Sequence, residues 1–228
     1  MPELMAAACI DGPRPHLTAM STNNAVSPIR VDVWSDFVCP FCLIGSLRLE
    51  QLAANTPIEP VWHAFMLRPP GYPPMTAEKR AMIAEYTPKV SAQIQEEFGL
   101  LVERGPIGTS TFAAHHAMKH AEREGKSIAL NDALLRAYWL RGEDISDHAV
   151  LRRIGATLDL AFDDAVLEGR EPETAEAVSV DLAQAQAYNI RGVPAFIFGN
   201  RYYVSGAQPL ELLERAAEAA RGESIAVH

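Results

Sequence analysis

Trp34-Ser35-Asp36-Phe37-Val38-Cys39-Pro40-Phe41-Cys42 carries two thiols three positions apart, a spacing that closes a disulfide or works as a reversible redox pair. Upstream, Ile29-Arg30-Val31-Asp32-Val33-Trp34 alternates with period two and is rich in β-branched and aromatic residues, so it predicts a strand. The chain turns at Ser35-Asp36. Downstream, apolar residues at 43, 44, 47 and 51 or 52 make one helical stripe. Cys39 is therefore expected at a helix N-terminus, where free N–H groups and the positive end of the dipole favour a thiolate, the nucleophilic form. Pro40 suits the first helical turn, because its missing N–H is not needed there and its φ is already helical. Cys42, one turn further in, is expected to be the more buried sulfur, acting second.

Two close cysteines also serve as a structural bridge or as half of a zinc site. For zinc, the remaining candidates His115, His116 and His120 lie more than 70 positions away, which fits no common finger spacing. No metal is expected.

The 228 residues suffice for one large domain or for a domain carrying an insertion. Twenty basic against 29 acidic residues leave a net charge of −9, which argues against a surface for nucleic acid or anionic lipid. No apolar run approaches a membrane span, and residues 1–30 lack a signal-peptide pattern, so a cytoplasmic location is expected. Residues 1–28, with Cys9 and a second methionine at Met20, show no periodicity and predict an unstructured leader.

Further along, Ile58 to Leu67 is apolar on both faces, as a buried parallel strand would be. Pro69, Pro70, Pro73 and Pro74 end it and mark a junction. The next hundred residues read as helices: one opened by Thr76, a second started by Pro88 and stopped by Gly99, then Phe112 to Glu124, Ile128 to Leu140, Asp147 to Leu158 and Asp163 to Leu167. Glu173 to Tyr188 is a longer helix, Ala195 to Phe198 a strand, Gly199-Asn200 a turn, Arg201 to Val204 the returning strand, and Pro209 to Arg221 a final helix. The expectation is a domain over 29–70 and 173–228 interrupted by an inserted helical domain at 71–172.

Trp34 to Cys42, with its flanking strand and helix, resembles the active-site entry of the thioredoxin superfamily, and the large insertion is similar to that of its DsbA branch. Gly192-Val193-Pro194-Ala195-Phe196 resembles the cis-proline loop of that superfamily, and Val204-Ser205-Gly206-Ala207-Gln208 the equivalent run of the FrnE-like subgroup. Trp62 to Pro70 and Ala114-His115 also match that subgroup, whereas Phe41 and His116 depart from its usual Trp and Arg. The resemblance implies an α/β, thioredoxin-like fold with a large all-helical insertion between the second and third strands.

It further implies a thiol–disulfide oxidoreductase, a disulfide reductase or isomerase. Cys39 would attack and Cys42 resolve a mixed disulfide, and Pro194 would be cis beside Cys39. Pro40, Phe41, Val193 and His115 would meet the substrate, with the Val193 backbone adding an extended peptide as a strand. Substrates would be protein or small-molecule thiols and disulfides, with no tightly bound cofactor, glutathione as a compatible redox partner, and a monomer or homodimer as the assembly. Asp32 has two readings: a proton handler for the buried thiol, by analogy with the acidic strand residue of thioredoxin-like proteins, or an acid facing solvent from an edge strand. Asp36 is read as a turn or cap residue, the three histidines as a polar, partly exposed helix surface, and Arg191 as a solvated charge. Two rivals use the same text: a glutathione-dependent kappa-type transferase or chromene-carboxylate isomerase, which generally lacks the complete cysteine pair, and a non-catalytic peptide holdase.

Overall fold

A computed structural model describes residues 27–222; the expected leader, including Cys9, lies almost wholly outside them. The first three elements are β1 (Ile29–Ser35), α1 (Pro40–Asn55) and β2 (Ile58–Ala64). Then come five helices in succession: α2 (Ala77–Phe98), α3 (Phe112–Arg123), α4 (Ser127–Leu140), α5 (His148–Ala156) and α6 (Asp164–Leu167). The chain closes with α7 (Pro172–Ala187), β3 (Ala195–Phe198), β4 (Tyr202–Ser205) and α8 (Leu210–Arg221). The sheet order is β2-β1-β3-β4, with β1 and β2 parallel and β3 antiparallel to both of its neighbours. This is an α/β thioredoxin-like fold with a helical insertion between β2 and β3, as the resemblance implies.

Strand alternation sorts the side chains of β1 onto two faces. Val31 and Val33 join Leu43, Ile44 and Leu47 of α1, Phe196 and Phe198 of β3 and Leu213 of α8 in the main core. Trp34 points the other way, into a second cluster with Ala185 and Ile190 at the end of α7. The sheet is thus covered on both sides, and the central strand β1 is buried along almost its whole length.

Two expectations of local structure need correction. Pro88 does not start a new helix but sits inside α2, which runs unbroken to Phe98. A proline there deprives the carbonyl one turn earlier of its donor, but that carbonyl belongs to exposed Ala84, where water can replace the donor. The second strand is not buried between two neighbours. It is the edge of the sheet, ends at Ala64, and carries exposed Glu59 together with Pro60, a residue that edge strands tolerate.

Candidate active site

Cys39 is the N-cap of α1, with extended backbone (φ −88°, ψ 120°) and Pro40 directly after it. The turn before it is closed by the Cys39 N–H donating to the Asp36 carbonyl at 3.0 Å. The two cysteines are free thiols. A hydrogen bond from the Cys42 thiol, then the N–H groups of Cys42 and Phe41 at the helix start, hold the Cys39 thiol below its ordinary range, against the opposing effect of burial. Burial pushes the Cys42 thiol well up, and the neighbouring Cys39 adds to the effect. The pair is therefore asymmetric: of the two thiols, Cys39 is the one that ionises more easily.

The Val193–Pro194 peptide bond is cis, and the Cys39 thiol donates to the Val193 carbonyl at 3.5 Å. The Pro194 carbonyl in turn accepts from Gly206 N–H at 2.8 Å, tying this loop to the end of β4. Gly45 lets α1 approach so closely: a Cβ there would lie 2.9 Å from the Phe196 ring and 3.0 Å from Pro194. On the outer side Phe41 packs beside Tyr86 of α2, ring centres 6.1 Å apart. Cys39, Pro40, Phe41, Val193 and Pro194 thus come together, but the sulfur is not open to solvent. Cys39 is only 6% exposed, because the Val193 carbonyl caps it.

Asp32 is not brought to the thiols. Alternation sends its side chain to the face opposite Ser35, the residue that borders Cys42. Nor does it face solvent from an edge: β1 is central and Asp32 is buried. Its carboxylate receives Arg30 at 2.6 Å and His63 Nε2 at 2.7 Å, while His63 Nδ1 meets Asp181 of α7 at 2.7 Å. Asp181 also accepts from Lys119 Nζ and from Ala64 N–H, both at 2.7 Å, and the Trp34 ring stacks on His63 at 4.4 Å. Burial opposes ionisation here, but the two flanking carboxylates raise the His63 pKa, and His63 with Arg30 or Lys119 keeps Asp32 and Asp181 below the carboxylate range. The network fastens β1, β2, α3 and α7 together.

The acid beside the thiols is Asp36, which is more than a turn residue. It is 1% exposed. Its N–H donates to Cys42 Sγ at 3.4 Å, and its Oδ2 accepts from Leu67 N–H at 2.8 Å. Oδ1 lies 3.6 Å from His115 Nε2. His115 is 2% exposed and packed against Phe37, so it is buried rather than set on an open groove. His116 is 3% exposed, so only His120 keeps any partly exposed character. Arg191 is exposed, bonded to Asn189. Among the described residues no cluster of three or more His, Cys, Asp or Glu is arranged to hold a metal ion.

A thiol at a helix start, a second thiol beneath it and a cis-proline loop across from it define a class: domains built on the DsbA pattern of the thioredoxin fold. The model of the DSBA-like thioredoxin domain matches residues 30–218, and the chain belongs to that family. Among solved structures it is similar to the probable DsbA oxidoreductase of Streptomyces coelicolor, 27% identical, with a TM-score of 0.71 over 88% of this chain and 93% of that one. A 2-hydroxychromene-2-carboxylate isomerase shares the fold at 17% identity and TM-score 0.67, covering 83% and 95% of the two chains. So does the cytosolic disulfide reductase DsbM of Pseudomonas aeruginosa with GSH, at 16% identity and TM-score 0.59 over 85% and 96%.

Proposed function

We propose that this chain is a disulfide reductase or isomerase of the FrnE-like subgroup, working in the cytoplasm on protein or small-molecule disulfides with glutathione as its redox partner. The observation that carries the reading is the geometry of the pair: the Cys39 thiol at the start of α1 faces the Val193 carbonyl of the cis-proline loop, with the more deeply buried Cys42 beneath it, so the pKa of the first thiol is lowered and that of the second raised. The Cys39 thiolate attacks one sulfur of the substrate disulfide, the other sulfur leaves as a thiolate and is protonated, and a mixed disulfide remains. Cys42 then loses its proton, attacks Cys39 Sγ and releases the second substrate thiol. The dithiol is oxidised by two electrons as the substrate is reduced, and glutathione restores it.

An extended substrate would lie along Val193, adding to the sheet as a strand, with Pro40 and Phe41 flanking the attacked sulfur. Entry requires the Val193 carbonyl to give up Cys39 as a donor, which happens once Cys39 ionises. A reducing cytosol keeps the pair as dithiol and so favours reduction or isomerisation over net oxidation. One likeness supports the location: DsbM, which shares the fold, is a cytosolic disulfide reductase with a solved structure that holds GSH. The presence of both thiols at the site weighs against a glutathione transferase or chromene-carboxylate isomerase.

Insulin reduction driven by glutathione tests the proposal. The wild-type chain should turn over, and Cys39→Ser should fall to the uncatalysed rate. Undiminished turnover by Cys39→Ser would rule the mechanism out, and saturable glutathione binding without any titratable dithiol would favour the transferase.

A further inference from the structure

The resolving thiol has no direct way to solvent. Cys42 is 1% exposed, and so is Asp36, whose main chain touches it. A proton leaving Cys42 must first be taken up by a group inside the protein. The carboxylates and the imidazole on the far side of the sheet are already engaged with one another. What remains next to the thiol is Asp36, and Asp36 meets His115, a residue contributed by the inserted helices. Asp36 Oδ1 and His115 Nε2 are both buried without a hydrogen-bond partner, 3.6 Å apart. A small cavity of about 10 Å³ adjoins His115 and is lined also by Ser35, the residue before Asp36, and by Trp62, whose Nε1 is likewise unpartnered. That is about the room one water molecule needs, with polar groups to hold it.

We propose that His115, acting through Asp36 and the adjoining cavity, receives the proton of Cys42 during the resolving step, so that the inserted helical region completes the catalytic machinery. The inference rests on the reading of Cys39 as nucleophile and Cys42 as resolving thiol. In this step the Cys42 S–H proton passes inward to His115, the new thiolate forms the Cys39–Cys42 bond, and the bond between Cys39 and the substrate sulfur breaks. The electron pair leaves with the substrate thiolate. A proton arriving at His115 Nε2 comes to rest 3.6 Å from Asp36 Oδ1, an acceptor with no other partner.

The other ionisable groups around the pair are arranged so as not to compete. His63 faces the cavity from β2, and Lys119 faces it from α3, both held by Asp181. His116, next to His115 on α3, is pushed below its ordinary 6.5, mainly by burial. Tyr138 on α4 feels Asp36 but is pushed up to about 12, chiefly by burial, and stays protonated. Cys39 lies on the substrate side.

Dithiobis-nitrobenzoate separates the two half-steps in the full reduced chain, because each releases one coloured thionitrobenzoate: the first on attack by Cys39, the second on attack by Cys42. His115→Gln should leave the first release within twofold and slow the second by roughly 10²-fold, changing its pH profile; Asp36→Asn should do the same. In the wild-type chain the second release alone should show a solvent deuterium isotope effect, a measurement that holds even if a variant fails to fold. An unchanged second release in His115→Gln, equal slowing of both, or no isotope effect confined to the second phase would overturn the relay. Release of a single equivalent by the wild-type chain would instead refute the role of Cys42, and no release that of Cys39.

Discussion

At the scale of single residues, the acidity of Cys39 is borrowed from its neighbour. The largest influence lowering it is the hydrogen bond from the Cys42 thiol, ahead of the N–H groups at the helix start. Cys42→Ala removes that donor, so the Cys39 titration should move up, and alkylation by iodoacetamide at neutral pH should slow while its plateau at high pH is unchanged. A rate–pH profile unaltered by Cys42→Ala would mean that the helix start alone sets the acidity. Asp36 is the residue that sequence reasoning passed over. An aspartate in a turn before a helix looks like a cap, and nothing local distinguishes it from a buried acid. The information sits at two residues distant in sequence: Leu67, which donates to its Oδ2, and His115, whose Nε2 lies 3.6 Å from its unpartnered Oδ1. Asp32 misled for the complementary reason: an acid in an apolar strand was legible, but its partners His63 and Asp181 are on β2 and α7.

At the scale of elements, contacts between α1 and its surroundings position the site. Gly45 is the point of closest approach between α1 and the Pro194 loop. Gly45→Ala should press α1 away from that loop, lowering stability by about 1–3 kcal/mol in urea unfolding and slowing the reaction of Cys39 with disulfides. Arg48, buried one turn further on, donates to Glu97 of α2 at 2.6 Å through both Nε and Nη2, and to the carbonyls of Ala207 and Gln208 at 2.8 and 2.9 Å. That gives the Val204 to Gln208 run a physical role: it presents two carbonyls to a guanidinium that also holds α2. Arg48→Met keeps much of the packing but leaves those carbonyls unpaired, so a loss of about 2–3 kcal/mol in urea unfolding is expected. The boundaries of these elements were largely readable, because capping residues such as Thr76 and Asp147 and the glycine after α2 act locally. Pro88 was not readable, since only the exposure of Ala84 decides whether a helix tolerates it.

At the scale of the whole molecule, the buried charges on the α7 side of the sheet make stability depend on pH from both directions. His63 has its pKa raised above the ordinary 6.5, so the stability it contributes is complete below that value and is lost as pH rises through the folded-state pKa. Asp32 and Asp181 have theirs lowered from 3.8, so their contribution is complete above that value and is lost as pH falls through the folded-state pKa. Between those ordinary values both contributions are whole. Urea midpoints of the wild-type chain should therefore be highest in mildly acidic buffer, and His63→Gln should flatten the alkaline side of the profile; an alkaline limb that survives the substitution would assign it to another group. The overall architecture was legible because the cysteine pair, the proline-rich junction and the Val193-Pro194 loop are punctuation that the chain carries locally. The place of β2 at the sheet edge was marked only by Glu59 and Pro60, a signal outweighed by the apolar residues around them.

The Val193 carbonyl that roofs Cys39 also acts as a sieve on what the sulfur can meet. A thiol 6% exposed discriminates by girth before it discriminates by chemistry: slim electrophiles should outpace bulky ones of equal intrinsic reactivity, and a disulfide in a loose, outstretched segment should be chosen over one clamped inside a rigid fold.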